Sequence, residues 1–470
     1  MALDPGVRHV DNLVMGGGEA GKYIAWHLAA EGQSVAVIER QLIGGSCPNI
    51  ACLPSKNVIR SAKIANLVSR AASFGIRTDG AVTEMRGVRQ RKRDMVAGMV
   101  DIHAKRFAAP EIDFVLGEGR FTAPRSIEVR LAEHGGVLRF TAERVFLNLG
   151  TRASVPHVPG LASAGALTHV EALELDHLPG HLIILGGGYV GVEFAQAYRR
   201  FGSHVTIVHN GNQLLRREDP DVAEAVQEIF AQDGIDVLLD AQATAVDGRS
   251  GDRISVRLQT PSGERTIEGT DLLIATGRTP NTHDIGLDIA GIDVDSRGFV
   301  TVDNQLRTSA TDVWAMGECA GSPQFTHVAF DDFRVVRDQL AGKERTTEDR
   351  LVPYCAFIDP ELGRVGLSER DAERLGGDLL VFRLPMTKVL RARAMVETIG
   401  FMKAIVDAHS NRILGFTMLG IGAGEVIAVV QTPMLGGMSY TVLRDAIFTH
   451  PTMAEGLNVL LSTVPERIGS

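Results

Sequence analysis

Short apolar runs, each closed by glycine, recur along the chain and alternate with stretches of helical period. Runs of four or five apolar residues are too short for helices. Without polar alternation they read as strands buried on both faces, as in a parallel sheet. The first, Asn12-Leu13-Val14-Met15, runs into Gly16-Gly17-Gly18-Glu19-Ala20-Gly21, followed by a helix over 22–31 and a strand over 34–38 that ends at Glu39. The same order returns at His181-Leu182-Ile183-Ile184-Leu185, then Gly186-Gly187-Gly188-Tyr189-Val190-Gly191, a helix to Phe201 and a strand over 205–208. Further buried strands are expected over 145–149, 271–275 and 313–316, closed by Gly150-Thr151, Thr276-Gly277 and Gly317-Glu318. Strand ends of this kind form the carboxyl edge of a parallel sheet, where ligands sit.

Between these runs, 55–70 reads as an amphipathic helix and 82–106 as a charged one, whose Arg89-Gln90-Arg91-Lys92-Arg93 run is expected to be a solvated face. The alternation over 114–140 predicts a small antiparallel sheet. Beyond about residue 345 the pattern changes to alternating strands (354–358, 400–406, 413–419) and a helix over 424–435, a separate α/β domain suited to subunit contact. The expected architecture is α/β, with two Rossmann-like dinucleotide-binding domains and a C-terminal α/β dimerisation domain. The first dinucleotide unit takes 1–150 with 281–345, the second 151–280, and the dimerisation domain 346–470.

Composition narrows the class. A chain of 470 residues exceeds one ordinary core, and 44% hydrophobic with 22% charged residues is globular. The net charge of -9 leaves no basic excess for nucleic acid. Residues 1–11 lack the basic-then-apolar pattern of a signal peptide. No apolar run reaches the roughly 18 residues of a membrane span. Four cysteines are no secreted disulfide framework, so a soluble cytoplasmic protein is expected.

Each glycine turn stands between a strand and a helix, where bare backbone can approach a pyrophosphate at the helix N-terminus. Glu39 lies 39 − 16 = 23 positions past Gly16, where an acid takes a ribose hydroxyl pair. In the second unit 209 − 186 = 23, so His209 holds that place. Its lack of charge, with Arg216 and Arg217 close behind, leans towards NADP over NAD, unless both arginines only face solvent. Two such units imply two nucleotides face to face, arranged to pass a hydride. Glu193, on the first turn of the second unit's helix, would be repelled by cofactor phosphates unless paired, and Lys56 is the candidate cation; alternatively it is a favourable charge at a helix start.

Cys47 and Cys52 are either a dithiol–disulfide pair or two ordinary buried thiols, and spacing alone leaves both open. In a regular helix they would lie about 7.5 Å apart along the axis, too far to bridge. Pro48 and Pro54 argue against a regular helix there, which leaves room for a bridge, and a nearby helix N-terminus would favour a thiolate. His450, with Glu455 five residues on, is either structural or an acid–base whose tautomer the carboxylate fixes.

Taken in order, residues 16–21, 45–56, 186–193, 276–281, 315–318 and 450–455 resemble the FAD-dependent pyridine nucleotide–disulfide oxidoreductases, and the resemblance covers essentially the whole chain. It implies that the first unit binds FAD through Gly16, Gly18, Gly21 and Glu39, with Lys56, Gly117, Gly150, Thr151, Glu318, Gln324 and His327. The second would take NADPH (or NADH) through Gly186, Gly188, Gly191 and Gly277, beside His209, Arg216 and Arg217, with Tyr189 over the nicotinamide pocket and Glu193 paired to Lys56. It further implies that Cys52 faces the flavin, that Cys47 attacks substrate, and that His450, held by Glu455, serves the other subunit of a homodimer. No metal ligand set is implied. Electrons would pass from NAD(P)H through FAD to the Cys47–Cys52 disulfide and on to a small oxidised substrate. Glu318 stands where the family usually has Asp, and Ala51 and Pro48 replace a Gly and an aliphatic residue, which points to an unusual redox potential. The branch is mercuric-reductase-like, yet mercuric reductases carry a C-terminal cysteine pair and no histidine at the place of His450. Phe448-Thr449-His450-Pro451 is similar to bacterial reductases that protect against reactive chlorine species. Mercuric reductase, dihydrolipoyl dehydrogenase and a non-turnover flavin sensor stay open as alternatives, the second weakened by His209.

Overall fold

The apolar runs of the first unit become neighbouring strands of one sheet. Val7–Met15 pairs in parallel with Val35–Glu39 on one side and Val137–Leu147 on the other, and Val313–Ala315 adds beyond. Leu13, Val14, Val37 and Phe146 are fully buried: helices pack on one face, with Ile24, Leu28 and Val335 against Val14, Val37 and Phe146, while Phe121, Ile127, Val129 and Leu287 cover the other, where Leu13 points. Ile112–Ala123 pairs in parallel with Val35–Glu39, then turns through Ser126–Leu131 into an antiparallel meander with Val137–Leu147. The alternation over 114–140 is thus an extension of the main sheet, since its outer strands, 12 and 11 residues long, serve both parts. The protein is seen as a computed structural model that describes residues 6–80, 82–132 and 135–469. The first five residues of the stretch read for a signal peptide, and Ser470, lie outside the described residues.

The second unit repeats the plan. Asp271–Ile274, His181–Leu185, His204–Val208 and Asp236–Leu238 form a four-stranded parallel sheet in that order, flanked by a three-stranded antiparallel sheet. Thr151–Ala153 pairs antiparallel with Arg278–Pro280, where the chain leaves the first unit and re-enters it. The last part is a six-stranded antiparallel sheet on which Ala423–Leu435 packs Val426, Ile427 and Val430 against Val365 and Phe416. Among the described residues no helix is long and apolar enough to cross a membrane.

Two local expectations are corrected. The helix read as starting at Ser55 runs over Cys52–Ser69, and a four-residue helix covers Ser46–Asn49. Pro48 and Pro54 each take the third position of a helix, where no i−4 carbonyl awaits their missing N–H. The helix breaks at Ile50 and Ala51, between the cysteines. Secondly, the Arg89 to Arg93 run is not free in solvent. Lys92 is buried and, with Arg93, pairs with Glu174, while Arg89 meets Asp176 at 3.3 Å. These contacts tie the long helix Met85–Phe107 to the second unit.

Candidate active site

The two glycine turns are built alike. Gly16 and Gly186 adopt positive φ, and a Cβ on either would sit 2.3 Å from a carbonyl oxygen of the neighbouring strand end, Asn148 or Ala275. A Cβ on Gly21 would meet the Gly16 carbonyl oxygen at 2.1 Å, and one on Gly191 the Gly186 oxygen at 2.0 Å. Any side chain would push helix from turn. Bare backbone therefore faces outward at the start of the helices Glu19–Ala30 and Tyr189–Phe201, a fit for a dinucleotide pyrophosphate. The Gly17 N–H donates to Glu39 Oε2 at 2.8 Å, and the N–H groups of Gln41 and Leu42 donate to Oε1. Glu39 keeps lone pairs for ribose hydroxyls.

A cavity of about 1320 Å³ opens from this turn and runs to the second unit. Of the residues assigned to FAD, Gly16, Gly18, Glu39, Lys56, Gly117, Gly150, Thr151, Glu318, Gln324 and His327 line it, whereas Gly21 lies behind the turn. Its size and mixed lining, mostly apolar with convergent polar groups such as Glu39, Lys56 and Glu318, suit a flavin dinucleotide. Glu318 accepts from the Thr151 hydroxyl and from Arg278 Nε, the latter at 3.1 Å. The longer acid is thus tied at the rim by a hydroxyl and a guanidinium.

Cys47 and Cys52 line the same cavity, both as free thiols. A Cβ on Gly45 would lie 2.4 Å from Gly18 Cα, so this glycine lets the cysteine segment rest on the dinucleotide turn. The Cys47 thiol hydrogen-bonds to Cys52, which lowers the Cys52 thiol to about 6; Thr326 and the Lys56 charge act in the same direction against burial. The same bond and burial push Cys47 up. Thr326 Oγ1 lies 3.1 Å from Cys52 Sγ. The pair therefore loses its first proton at Cys52, the thiol held by these partners. Burial raises the other two thiols, Cys319 to about 11 and Cys355 likewise upward, so neither is a competing nucleophile.

Lys56, four residues past Cys52, reaches across the units to Glu193, with Nζ 2.7 Å from Oε2. The other Glu193 oxygen accepts from the Phe357 N–H at 2.8 Å, and Lys56 stands over the Phe357 ring. Of the residues assigned to the nicotinamide nucleotide, Tyr189, Glu193 and Arg217 line the cavity. Gly186, Gly188, Gly191, His209, Arg216 and Gly277 do not; they sit at or beside the carboxyl edge of the second sheet. There Gly187 N–H donates to His209 Nδ1 at 3.2 Å, so His209 takes the place in the second unit that Glu39 has in the first. Its Nε2 is buried near the Gln213 backbone. Burial, then the Arg216 charge, lowers the imidazole's pKa, so it is neutral with its proton on Nε2. Arg216 and Arg217 are exposed and make no ion pair among the described residues.

His450 Nδ1 lies 2.9 and 3.0 Å from the two Glu455 oxygens. The ring is exposed and does not line the cavity of its own chain. Among the described residues no cluster fit for a metal ion occurs. Sequence reasoning missed Asn148, whose Oδ1 accepts from Gly21 N–H and whose Nδ2 donates to the Met316 carbonyl, and also Glu218; it placed the segment from Gln324 to His327 at the flavin but missed the contact of Thr326 with Cys52. Only Glu218 carried a signal, an acid directly after the two arginines.

Residues 10–332 match the family model described as pyridine nucleotide-disulphide oxidoreductase, and 352–460 the dimerisation domain of the same family. The chain is 38% identical over 458 residues to the probable pyridine nucleotide-disulfide oxidoreductase RclA of Escherichia coli, covering 96% of this chain and 98% of that protein. It is 32% identical to a mercuric reductase of Streptomyces lividans, over 96% of each. A solved structure described as the Cu(II) complex of the HOCl-induced flavoprotein disulfide reductase RclA from Escherichia coli superposes with a TM-score of 0.88 at 38% identity, covering 97% of this chain and 99% of that one. A paired-thiol cavity set between two dinucleotide turns, with matches of this extent, places the chain in the pyridine nucleotide–disulphide oxidoreductase family.

Proposed function

We propose that the chain carries out its family's NAD(P)H-dependent disulfide reduction through Cys47 and Cys52, with a small oxidant as final acceptor. The observation that carries this reading is the thiol pair itself, on the same cavity as the Glu39 turn, with the Cys52 thiolate favoured by Cys47, Thr326 and Lys56. FAD, when bound, supplies the two-electron link between the nicotinamide and the cysteines. Gly16, Gly18 and Glu39 would hold its pyrophosphate and ribose, Gly21 keeping turn and helix close behind them, with Lys56, Gly117, Gly150, Thr151, Glu318, Gln324 and His327 along the rest. Lys56 neutralises Glu193 beside the nicotinamide. Cys47, the thiol with the higher proton affinity, attacks the substrate after deprotonation, and His450 of the partner subunit, oriented by Glu455, takes that proton. We assign FAD to 1–150 with 281–345, the nicotinamide nucleotide to 151–280, and homodimer contact to 346–470. A cytoplasmic site of action accords with four cysteines in 470 residues, which are no secreted disulfide framework.

Anaerobic titration with NADPH tests the core of this. A working reductase takes up four electrons per subunit and develops a thiolate-to-flavin charge-transfer band; uptake of only two electrons without the band would leave a flavin sensor as the better description. Initial rates with lipoamide, glutathione disulfide, mercuric ion, hypothiocyanite and quinones then assign the acceptor. The relative described as HOCl-induced makes products of reactive chlorine the first class to try.

NADPH is the nucleotide we assign. Neutral His209 stands beside the exposed Arg216 at the place where an acid would repel a 2′-phosphate. His209→Glu is expected to lower the NADPH-to-NADH ratio of kcat/KM by about tenfold or more, through repulsion of the 2′-phosphate by the new carboxylate. An unchanged ratio in steady-state assays would remove His209 from specificity.

A further inference from the structure

Glu218 is fully buried in the loop that follows His204–Val208, two residues past Arg216. Its Oε1 accepts two phenols at once, Tyr189 at 2.6 Å and Tyr354 at 2.6 Å. Its Oε2 accepts from Arg364 Nη1 at 3.2 Å. The three donors come from different parts of the chain: Tyr189 from the first helical position after the second glycine turn, Tyr354 and Arg364 from adjacent strands of the C-terminal sheet. The two rings meet edge to face, 5.6 Å between centroids, and the Arg364 guanidinium lies over Tyr354. Leu215 N–H to the Gly187 carbonyl, 2.9 Å, ties the loop to the glycine turn. Burial and the Glu218 charge raise both phenols, so both stay protonated donors.

We propose that Glu218 is a positioning residue of the nicotinamide site, holding Tyr189 across the pocket mouth by its hydroxyl until the dinucleotide displaces it. This rests on the reading of Tyr189 as the cover of that pocket. The carboxylate can let Tyr189 go because Tyr354 and Arg364 remain on it, so displacement leaves no buried charge unpaired. A carboxylate with only the Tyr189 partner would lock the phenol in place. The shared oxygen makes the bond strong enough to set a position and weak enough to be exchanged for bound nucleotide. Dinucleotide affinity is then lowered by the free energy of the Tyr189–Glu218 bond.

Two holoenzyme variants act on that bond from opposite sides: Tyr189→Phe removes the donor, and Glu218→Gln weakens the bond by taking the charge off the acceptor oxygen. Calorimetric titration with NADP+ and with NAD+, and KM for NADPH, are the readouts. Each variant is expected to tighten binding of the preferred nucleotide by about threefold to tenfold, with the effect on KM much larger than on kcat. The double variant should gain no more than the tighter single one, as expected for two ends of one bond. Tyr189→Ala separates the two readings. If it tightens binding while Glu218→Gln and Tyr189→Phe stay within about twofold of wild type, Tyr189 covers the pocket but Glu218 does not position it. If Tyr189→Ala leaves the Kd unchanged, the pocket-cover reading falls and this proposal with it. Should Glu218→Gln fail to fold, Tyr189→Phe alone decides, because it leaves the buried carboxylate its other two partners.

Discussion

Cys52→Ser is expected to abolish disulfide reduction while FAD stays bound. Serine at this position can form no disulfide, and its hydroxyl does not ionise near neutral pH, so turnover should fall on the order of 10³-fold or more. Cys47→Ser should lose turnover to a similar extent for a different reason, since no thiol is left to attack substrate. The absorption spectrum separates the two. Cys47→Ser keeps a thiolate at Cys52, held by Thr326 at 3.1 Å and by the Lys56 charge, and should show a charge-transfer band without reduction. Cys52→Ser should show none. The wild-type band after two-electron reduction has a pH dependence of fixed sign. With the Cys52 thiol lowered to about 6, thiolate is present above that pH and lost as pH falls through it. A band that survives in Cys52→Ser and vanishes in Cys47→Ser would exchange the roles of the two thiols.

The parts of this site that sequence makes legible are those under local steric constraint. Gly16, Gly21, Gly186 and Gly191 could be recognised because turn and helix approach too closely for a Cβ, which restricts the residue type at a fixed spacing. The register that put His209 opposite Glu39 worked for the same reason: both side chains accept from the second glycine of their turn. The Lys56–Glu193 pair was reachable by charge, since an acid near phosphates demands a cation. Asn148, Thr326 and Tyr354 gave no local sign. Asn148 reaches Gly21 across 127 residues and Thr326 reaches Cys52 across 274, and periodicity contains nothing about such pairings. Glu218 reads as one more loop acid beside two exposed arginines until the C-terminal sheet buries it. The Arg89 to Arg93 run looked solvated because its partner Glu174 lies about 80 residues on.

A heterodimer of one Cys47→Ser chain and one His450→Ala chain should recover about half of the wild-type rate per dimer, although each parent homodimer is nearly inactive. His450→Ala alone is expected to cost about 10²-fold or more, as loss of a general acid–base does. The recovery follows from where the ring stands. His450 is exposed, braced by Glu455 within 3.0 Å, and absent from the cavity that holds the cysteines of its own chain. The apolar side chains around it in sequence, Val442, Ile447, Val459 and Val464, are also exposed. A twofold-related copy covering that face would carry each His450 to the other chain's cavity. In the mixed dimer one site then combines both lesions and is dead, while the other joins intact cysteines to an intact His450. If His450 served its own chain, one site would lack the thiol and the other the base, and no site would be whole. Differentially tagged chains, purified through both tags and assayed with the acceptor found by screening, distinguish the two arrangements. A rate no higher than the mean of the two parents would place His450 outside the shared site.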